Sequence, residues 1–161
     1  MQDAEFGQIL RQHFVDAIRK RDQKSVENML AFMPELSYVT DGPEQEPILH
    51  LIVTHDMSNV IQTILKRYPA LASCVDSPQH GNTLIHTAIF SNSFDSAKVL
   101  AKLHPELLAV RNSLGETPKE TLRGPGMEAL AALFEKLSAS QAPAETGRRW
   151  IFRNPNSGQH R

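Results

Sequence analysis

Seven histidines and a single cysteine are the side chains of this sequence best suited to chemistry near neutral pH. Metal binding or nucleophilic catalysis needs such groups clustered. A structural zinc site asks for Cys and His ligands at short paired spacings, and Cys74 stands alone. His13, His55, His80, His104 and His160 show no ligand spacing with Cys74 or with acids. A thiolate nucleophile needs a neighbouring base and electropositive surroundings, whereas Asp76 follows Cys74 closely. Cys74 therefore reads as the filler of a small loop pocket. Sequences that cradle phosphate, present a nucleophilic serine or hold catalytic zinc (Gly-x-x-x-x-Gly-Lys-Ser/Thr, Gly-x-Ser-x-Gly, His-Glu-x-x-His) do not occur. Glu44 and Glu46 fall in a turn, where acids are solvated more often than paired for proton transfer. The expectation is a protein that catalyses nothing and takes no cofactor, metal or small-molecule substrate. An enzyme with a non-standard site around Cys74 is the remote alternative.

The chain has 161 residues, 40% of them hydrophobic and 22% charged, a balance that supports one soluble core. A formal net charge of −1 offers no general pull toward nucleic acid or an anionic membrane, and neither is expected as a partner. Charge is nevertheless uneven. Asp41, Glu44 and Glu46 cluster without a nearby base, while Arg148, Arg149, Arg153 and Arg161 follow Glu145 with no further acid. One cysteine excludes an internal disulfide framework and fits a reducing compartment. The N-terminal residues lack the basic and apolar regions of a secretory signal, and no apolar run approaches the length of a membrane span. An intracellular location, cytoplasmic or nuclear, follows as the expectation.

What must position these residues emerges when the chain is laid on itself. Pro34-Glu35-Leu36, Pro69-Ala70-Leu71 and Pro105-Glu106-Leu107 recur at spacings of 35 and 36 residues. Each proline is followed by a turn former, Asp41, Asp76 or Asn112, and preceded by Met29, Ile64 or Leu100 and by Val26, Ile61 or Ala97. Four columns sharing one period define a repeat. Each unit reads as a helix, a short turn, a longer helix and an extended loop. The first unit supplies Phe14, Val15, Ala17 and Ile18, then Val26, Met29, Leu30 and Phe32, as buried stripes at helical spacing. In the second, Pro47-Ile48-Leu49-His50-Leu51-Ile52-Val53 starts a short apolar helix, Asp56 or Ser58 can cap the next, and Val60, Ile61, Ile64 and Leu65 supply its buried stripe. The third has Leu84, Ile85, Ala88 and Ile89, then Ala97, Val99, Leu100 and Leu103. An incomplete fourth begins at Gly115 and carries Met127, Ala129, Leu130, Leu133, Phe134 and Leu137, with Gly124-Pro125-Gly126 as a link between two helices. One helix pair cannot bury both its faces; stacked pairs share a continuous core.

Gly81-Asn82-Thr83-Leu84-Ile85-His86-Thr87-Ala88 resembles the ankyrin repeat's opening Gly-x-Thr-Pro-Leu-His-x-Ala, with Leu84 at the proline position. Gly115-Glu116-Thr117-Pro118 resembles the same opening with Lys119 and Glu120 in place of Leu-His, and Pro47-Ile48-Leu49-His50 keeps only Leu-His. The fold class expected is thus all-α, an ankyrin-type helical solenoid of about four helix-turn-helix units. The repeat domain covers 1–137, in units of roughly 8–41, 42–78, 79–114 and 115–137, and 138–161 forms a flexible linker and a basic, aromatic tail. Glycine suits the sharp entry into each first helix at Gly81 and Gly115, Thr83 and Thr117 can cap those helices, and His50 and His86 occupy equivalent positions as turn clamps.

The resemblance implies a concave face of loop tips and first helices to which partner proteins dock. By position that face comprises Glu44, Glu46, Leu51, Thr54 and His55 of the second unit, His80, Asn82, Thr87, Phe90 and Ser91 of the third, and Leu114 and Glu116 of the fourth. Phe90 is the foremost candidate, an aromatic where the pattern asks for a solvent-facing residue; packing under the neighbouring loop is its other reading. The acidic lip favours a basic partner segment, or serves only solubility. Arg149, Trp150 and Phe152 form a second candidate contact in the tail, which folds back onto the stack, meets a partner or continues into further sequence. The expected function is a protein-interaction module, an adaptor, inhibitor or recruitment factor. A structural spacer or oligomerisation unit is the alternative.

Overall fold

The computed structural model describes residues 2–140, and they are mostly helical. Seven α-helices follow in order: α1 Gln2–Arg19, α2 Gln23–Phe32, α3 Ile48–Thr54, α4 Ser58–Arg67, α5 Leu84–Phe90, α6 Phe94–Leu103 and α7 over 128–140. The helices pair along the chain, α1 with α2, α3 with α4 and α5 with α6. Across pairs, α3 packs on both α1 and α5, and α4 on both α2 and α6. Two layers result: an inner one of α1, α3 and α5 and an outer one of α2, α4 and α6. A single buried cluster runs between them from Phe14 through Ile52, Ile61, Ile85 and Leu100 to Leu130 and Phe134 of α7.

The recurring proline ends each outer helix as its chemistry requires. The residue before it, Met33, Tyr68 or His104, leaves helical geometry with φ near −130° (−134°, −129° and −133°), because the pyrrolidine ring crowds the preceding backbone. The chain does not run straight into an extended loop, however. Pro34–Tyr38, Pro69–Ser73 and Pro105–Ala109 each form a 3-10 turn with proline leading it. Between inner and outer helix the backbone turns through the left-handed region at Arg21, Asp56 and Asn92, with φ of 58°, 53° and 57°. These three positions keep the period of the prolines, and Asp and Asn tolerate that conformation better than most residues. The only strands among the described residues form a two-residue antiparallel ladder, β1 Thr40–Asp41 with β2 Glu46–Pro47.

Several sequence expectations need correction. α1 reaches back to Gln2, so the first unit begins before residue 8, and its inner helix is the longer of the pair. Phe32 does not join the buried stripe: it is 87% exposed, because it sits two residues, more than half a turn, beyond the buried Leu30. Asp41 does have a base beside it, since Arg19 of α1 reaches its carboxylate at 2.9 Å. Neither Asp56 nor Ser58 caps α4; the Asp56 carboxylate instead accepts the backbone N–H of Ser96 at 2.8 Å and so caps α6 of the next unit. The fourth unit has a 3-10 turn, Lys119–Thr121, in place of a first helix. Lys119 and Glu120 offer no apolar face to hold a longer one. Residues 138–140, read as linker, continue α7.

Candidate partner-binding face

The face is built on two buried imidazoles. Thr83 caps α5, its hydroxyl facing the His86 backbone N–H while the Thr83 N–H donates to His86 Nδ1 at 3.2 Å. With Nδ1 accepting, the ring carries its proton on Nε2, which donates to the Glu116 carbonyl of the following unit at 2.9 Å. His50, one unit earlier, is held between two partners in another way. Its Nδ1 accepts from the Thr87 hydroxyl at 2.7 Å, and its Nε2 donates to the Cys74 carbonyl at 3.3 Å. His86 thus ties α5 to the entry loop of the fourth unit, and His50 ties α3 to α5 of the next unit and to the loop that ends its own. Burial pushes both pKa values down, His50 to about 4, so both rings are neutral at physiological pH.

A ladder of side chains joins the loop tips. The Asn82 amide donates to Asp76 at 2.9 Å, and the Asn112 amide donates to Asn82 at 3.1 Å. The Ser113 N–H reaches the His80 carbonyl at 2.8 Å. Gly81 lies beneath this contact with φ +62°, which strains any residue with a side chain, and a Cβ there would stand 3.1 Å from Ser113 Oγ and press it aside by a few tenths of an ångström. The lip of the second unit leads into the same ladder. Glu46 is half-buried, and its carboxyl is pushed up first by burial, then by the negative charges of Asp76, Asp41 and Glu44.

These contacts sort the candidate residues. Thr87 and Asn82 spend their polar groups inside the fold, and the Thr54 hydroxyl returns to the His50 carbonyl of its own helix. Leu51 is half-buried and packs against the core. Glu116 gives its carbonyl to His86 and its carboxylate to Arg123. His55 is half-buried, its pKa lowered by burial and then by Arg21 and Arg19. Ser91 is half-buried at the end of α5. Glu44 and His80 are exposed. Phe90 does not pack under a loop: it is 54% exposed, and Leu114 opposite is 80% exposed. Together with His80, Asn82, Asn112 and Ser113 they line a shallow cavity of about 140 Å³ between the end of α5 and the loops at 79–82 and 112–114. The tail candidates Arg149, Trp150 and Phe152 lie outside the described residues.

Cys74 sits where the loop pocket was expected, half-buried against the core, and burial pushes its thiol up to about 12. Among the described residues, no three His, Cys, Asp or Glu side chains converge as metal ligands, and no helix is long and apolar enough to cross a membrane. A feature without a signal in the repeat pattern lies on the outer layer. Leu30, Ala31, Pro34, Val60, Ile64 and Tyr68 line a cavity of about 190 Å³ between α2 and α4. Its walls come from two helices about thirty residues apart in the chain, which no single stretch of sequence encodes.

No family model matches the chain, and no curated protein does. Among solved structures it is similar to a chain of the crystal structure of the yeast ribosomal protein Rps3 in complex with its chaperone Yar1. The two share 19% identity at a TM-score of 0.63, over 78% of this chain and 91% of that one. At that identity the likeness is one of fold.

Proposed function

We propose that this chain is a protein-interaction module, a stack of about four ankyrin-type repeats that binds a partner polypeptide through the inner-helix face and performs no catalysis. The carrying observation is the pair Phe90 and Leu114, left largely exposed around one cavity on a face where Thr54, Asn82, Thr87 and Glu116 spend polar groups inside the fold. Burying either side chain fully stabilises by roughly 1.5–3 kcal/mol, an energy the isolated chain leaves for a partner. The Gly81–Ala88 run, the Thr83 cap and the two imidazole clamps support the ankyrin reading. The similar chain comes from a complex between a ribosomal protein and its chaperone, which fits a role in holding another protein. A thiol held near 12 at Cys74 speaks against the enzyme alternative. The acidic lip favours a basic segment in the partner, and an intracellular site of action fits the single cysteine.

The test is affinity capture with the wild-type chain and with Phe90→Ala/Leu114→Ala. Two exposed side chains cost little stability, so melting should stay within a few degrees of wild type. Partner capture should fall at least ~30-fold, the loss for a hot spot of about 2 kcal/mol. Undiminished capture of every partner by the double variant refutes this face and returns the chain to a spacer role.

A further inference from the structure

The cavity between α2 and α4 and the projecting start of α1 are complementary features of one chain. We propose that they meet between two copies of it: Phe6 of each copy seats in the α2–α4 cavity of the other, with Ile9 lying across the rim, in a twofold pair. The seat lies on the outer layer and Phe90 on an inner helix, so the pair forms independently of the proposed partner contact.

The start of α1 asks for a cover. α1 has 18 residues against 10 in α2, so about two turns project past the helix it pairs with. Residues 4–9 of that projection are all exposed, Phe6 at 64% and Ile9 at 55%. Three positions apart, these two side chains share one side of the helix. A free two-turn helix is marginal in water, and Gly7 inside this one weakens it further. Packing against another surface supplies what the segment lacks.

The cavity asks for a ring. Its volume of about 190 Å³ exceeds the roughly 150 Å³ that takes a benzene ring in an engineered core, and Leu30, Ala31, Val60 and Ile64 give it apolar walls. The rim is apolar too. Phe32, 87% exposed, follows Ala31, and the exposed Tyr38 packs against Tyr68 of the wall with 5.4 Å between ring centres. With Phe6 and Ile9 they make up half of the large hydrophobic side chains left exposed among the described residues, all four in the first unit. Such a concentration marks a contact surface.

Charge fits the same pairing. Glu27 of α2 and Arg67 of α4 line the cavity from opposite helices, and Glu5 and Arg11 flank Phe6 and Ile9 in the chain. Glu27 accepts the Gln23 amide at 2.8 Å, and Arg67 lies over the Tyr68 ring. Among the described residues none of these four charges stands in an ion pair. A second copy brings an acid toward Arg67 and a base toward Glu27, which sets orientation more than affinity. One seat alone covers too little for a lasting contact, because specific interfaces bury about 1,200–2,000 Å² in total. Reciprocal seating doubles the covered area and closes the pair, so no open string of copies grows.

Sedimentation equilibrium of the full-length chain should show a mass that rises with concentration from one chain to two and no further. Phe6→Asp/Ile9→Asp changes only exposed side chains, so melting should hold while the dissociation constant rises at least ~10-fold, the loss of one well-seated ring. Ala31→Lys/Thr63→Lys, at exposed positions of the cavity wall, blocks the seat from the other side and should weaken the pair as much. Phe90→Ala/Leu114→Ala should leave it intact. In a Cys74→Ala background, Phe6→Cys protein mixed with Thr63→Cys protein should cross-link under mild oxidation faster than Phe6→Cys mixed with Leu114→Cys. A mass of one chain at every concentration up to about 1 mM overturns the proposal. So does a pair that survives either the Phe6/Ile9 or the Ala31/Thr63 variant, a mass that climbs past two chains, or cross-linking no faster than the Leu114 control. A pair lost with Phe90 and Leu114 overturns it too, by placing the contact on the inner face. The mass is read without any partner and capture is scored on the Phe90 pair, so the dimer and the proposed function fail separately.

Discussion

Acidification tests the His50 clamp most directly. The imidazole is fully buried, accepts from Thr87, donates to the Cys74 carbonyl, and has a pKa of about 4 against an ordinary 6.5. A base that takes up its proton less readily when folded leaves the unfolded chain with more bound protons, so stability rises with pH. His50 imposes no penalty above about pH 6.5, and stability is lost as pH falls from there toward 4. With about 1.4 kcal/mol per pKa unit, linkage between these values gives a loss on the order of 1 kcal/mol at about pH 5.5 and on the order of 2 kcal/mol at about pH 4.5. The comparison is His50→Gln, whose amide can accept from Thr87 and donate toward Cys74 without titrating. Carboxylates and His86 act alike in both proteins and cancel. Thermal melts should show the wild-type advantage over the variant shrinking by roughly 6–7 °C between about pH 7 and pH 4.5, at ~3 °C per kcal/mol for a domain of this size. If the two proteins lose stability in parallel across that range, His50 is not held neutral by burial and the clamp reasoning fails.

Further outcomes follow from other contacts. Leu100 is completely buried between the layers, so Leu100→Asp places an unpaired charge in the shared core and should unfold the domain cooperatively, a loss above ~4 kcal/mol. A circular-dichroism melt within a degree or two of wild type would show the stacking register to be wrong. Asp56 caps the helix of the next unit from a left-handed turn, so Asp56→Ala should cost ~1–2 kcal/mol by denaturant titration and Asp56→Asn far less; equal losses would deny the cap. Cys74, its thiol pushed up to about 12 by burial, should resist a thiol reagent at about pH 8 until the chain is unfolded. Labelling of the native protein at the rate of free cysteine contradicts that.

The sequence by itself determined the period, the pairing of helices and the entry chemistry of each unit. These rest on local causes: proline ends a helix wherever it stands, glycine and Asp or Asn admit the left-handed backbone, and apolar stripes at helical spacing must be covered. The fourth unit was legible as incomplete, but the helix expected before Gly124-Pro125-Gly126 is only a 3-10 turn, since Lys119 and Glu120 replace the apolar pair. The tertiary structure alone decided what each polar group meets. Thr87 looked free for a partner and is spent on His50, Asp41 looked unpaired and meets Arg19, and Asp56 looked like a cap for its own helix and serves the next. Phe90 and Phe32 are alike in type, one read as surface and the other as core, yet both are exposed, and Phe90 alone has Leu114 across a cavity. Each of these outcomes depends on residues 20 to 40 positions away. In a repeat stack the local pattern says that a neighbour will come, and only the docking of one unit on the next says which atoms it brings.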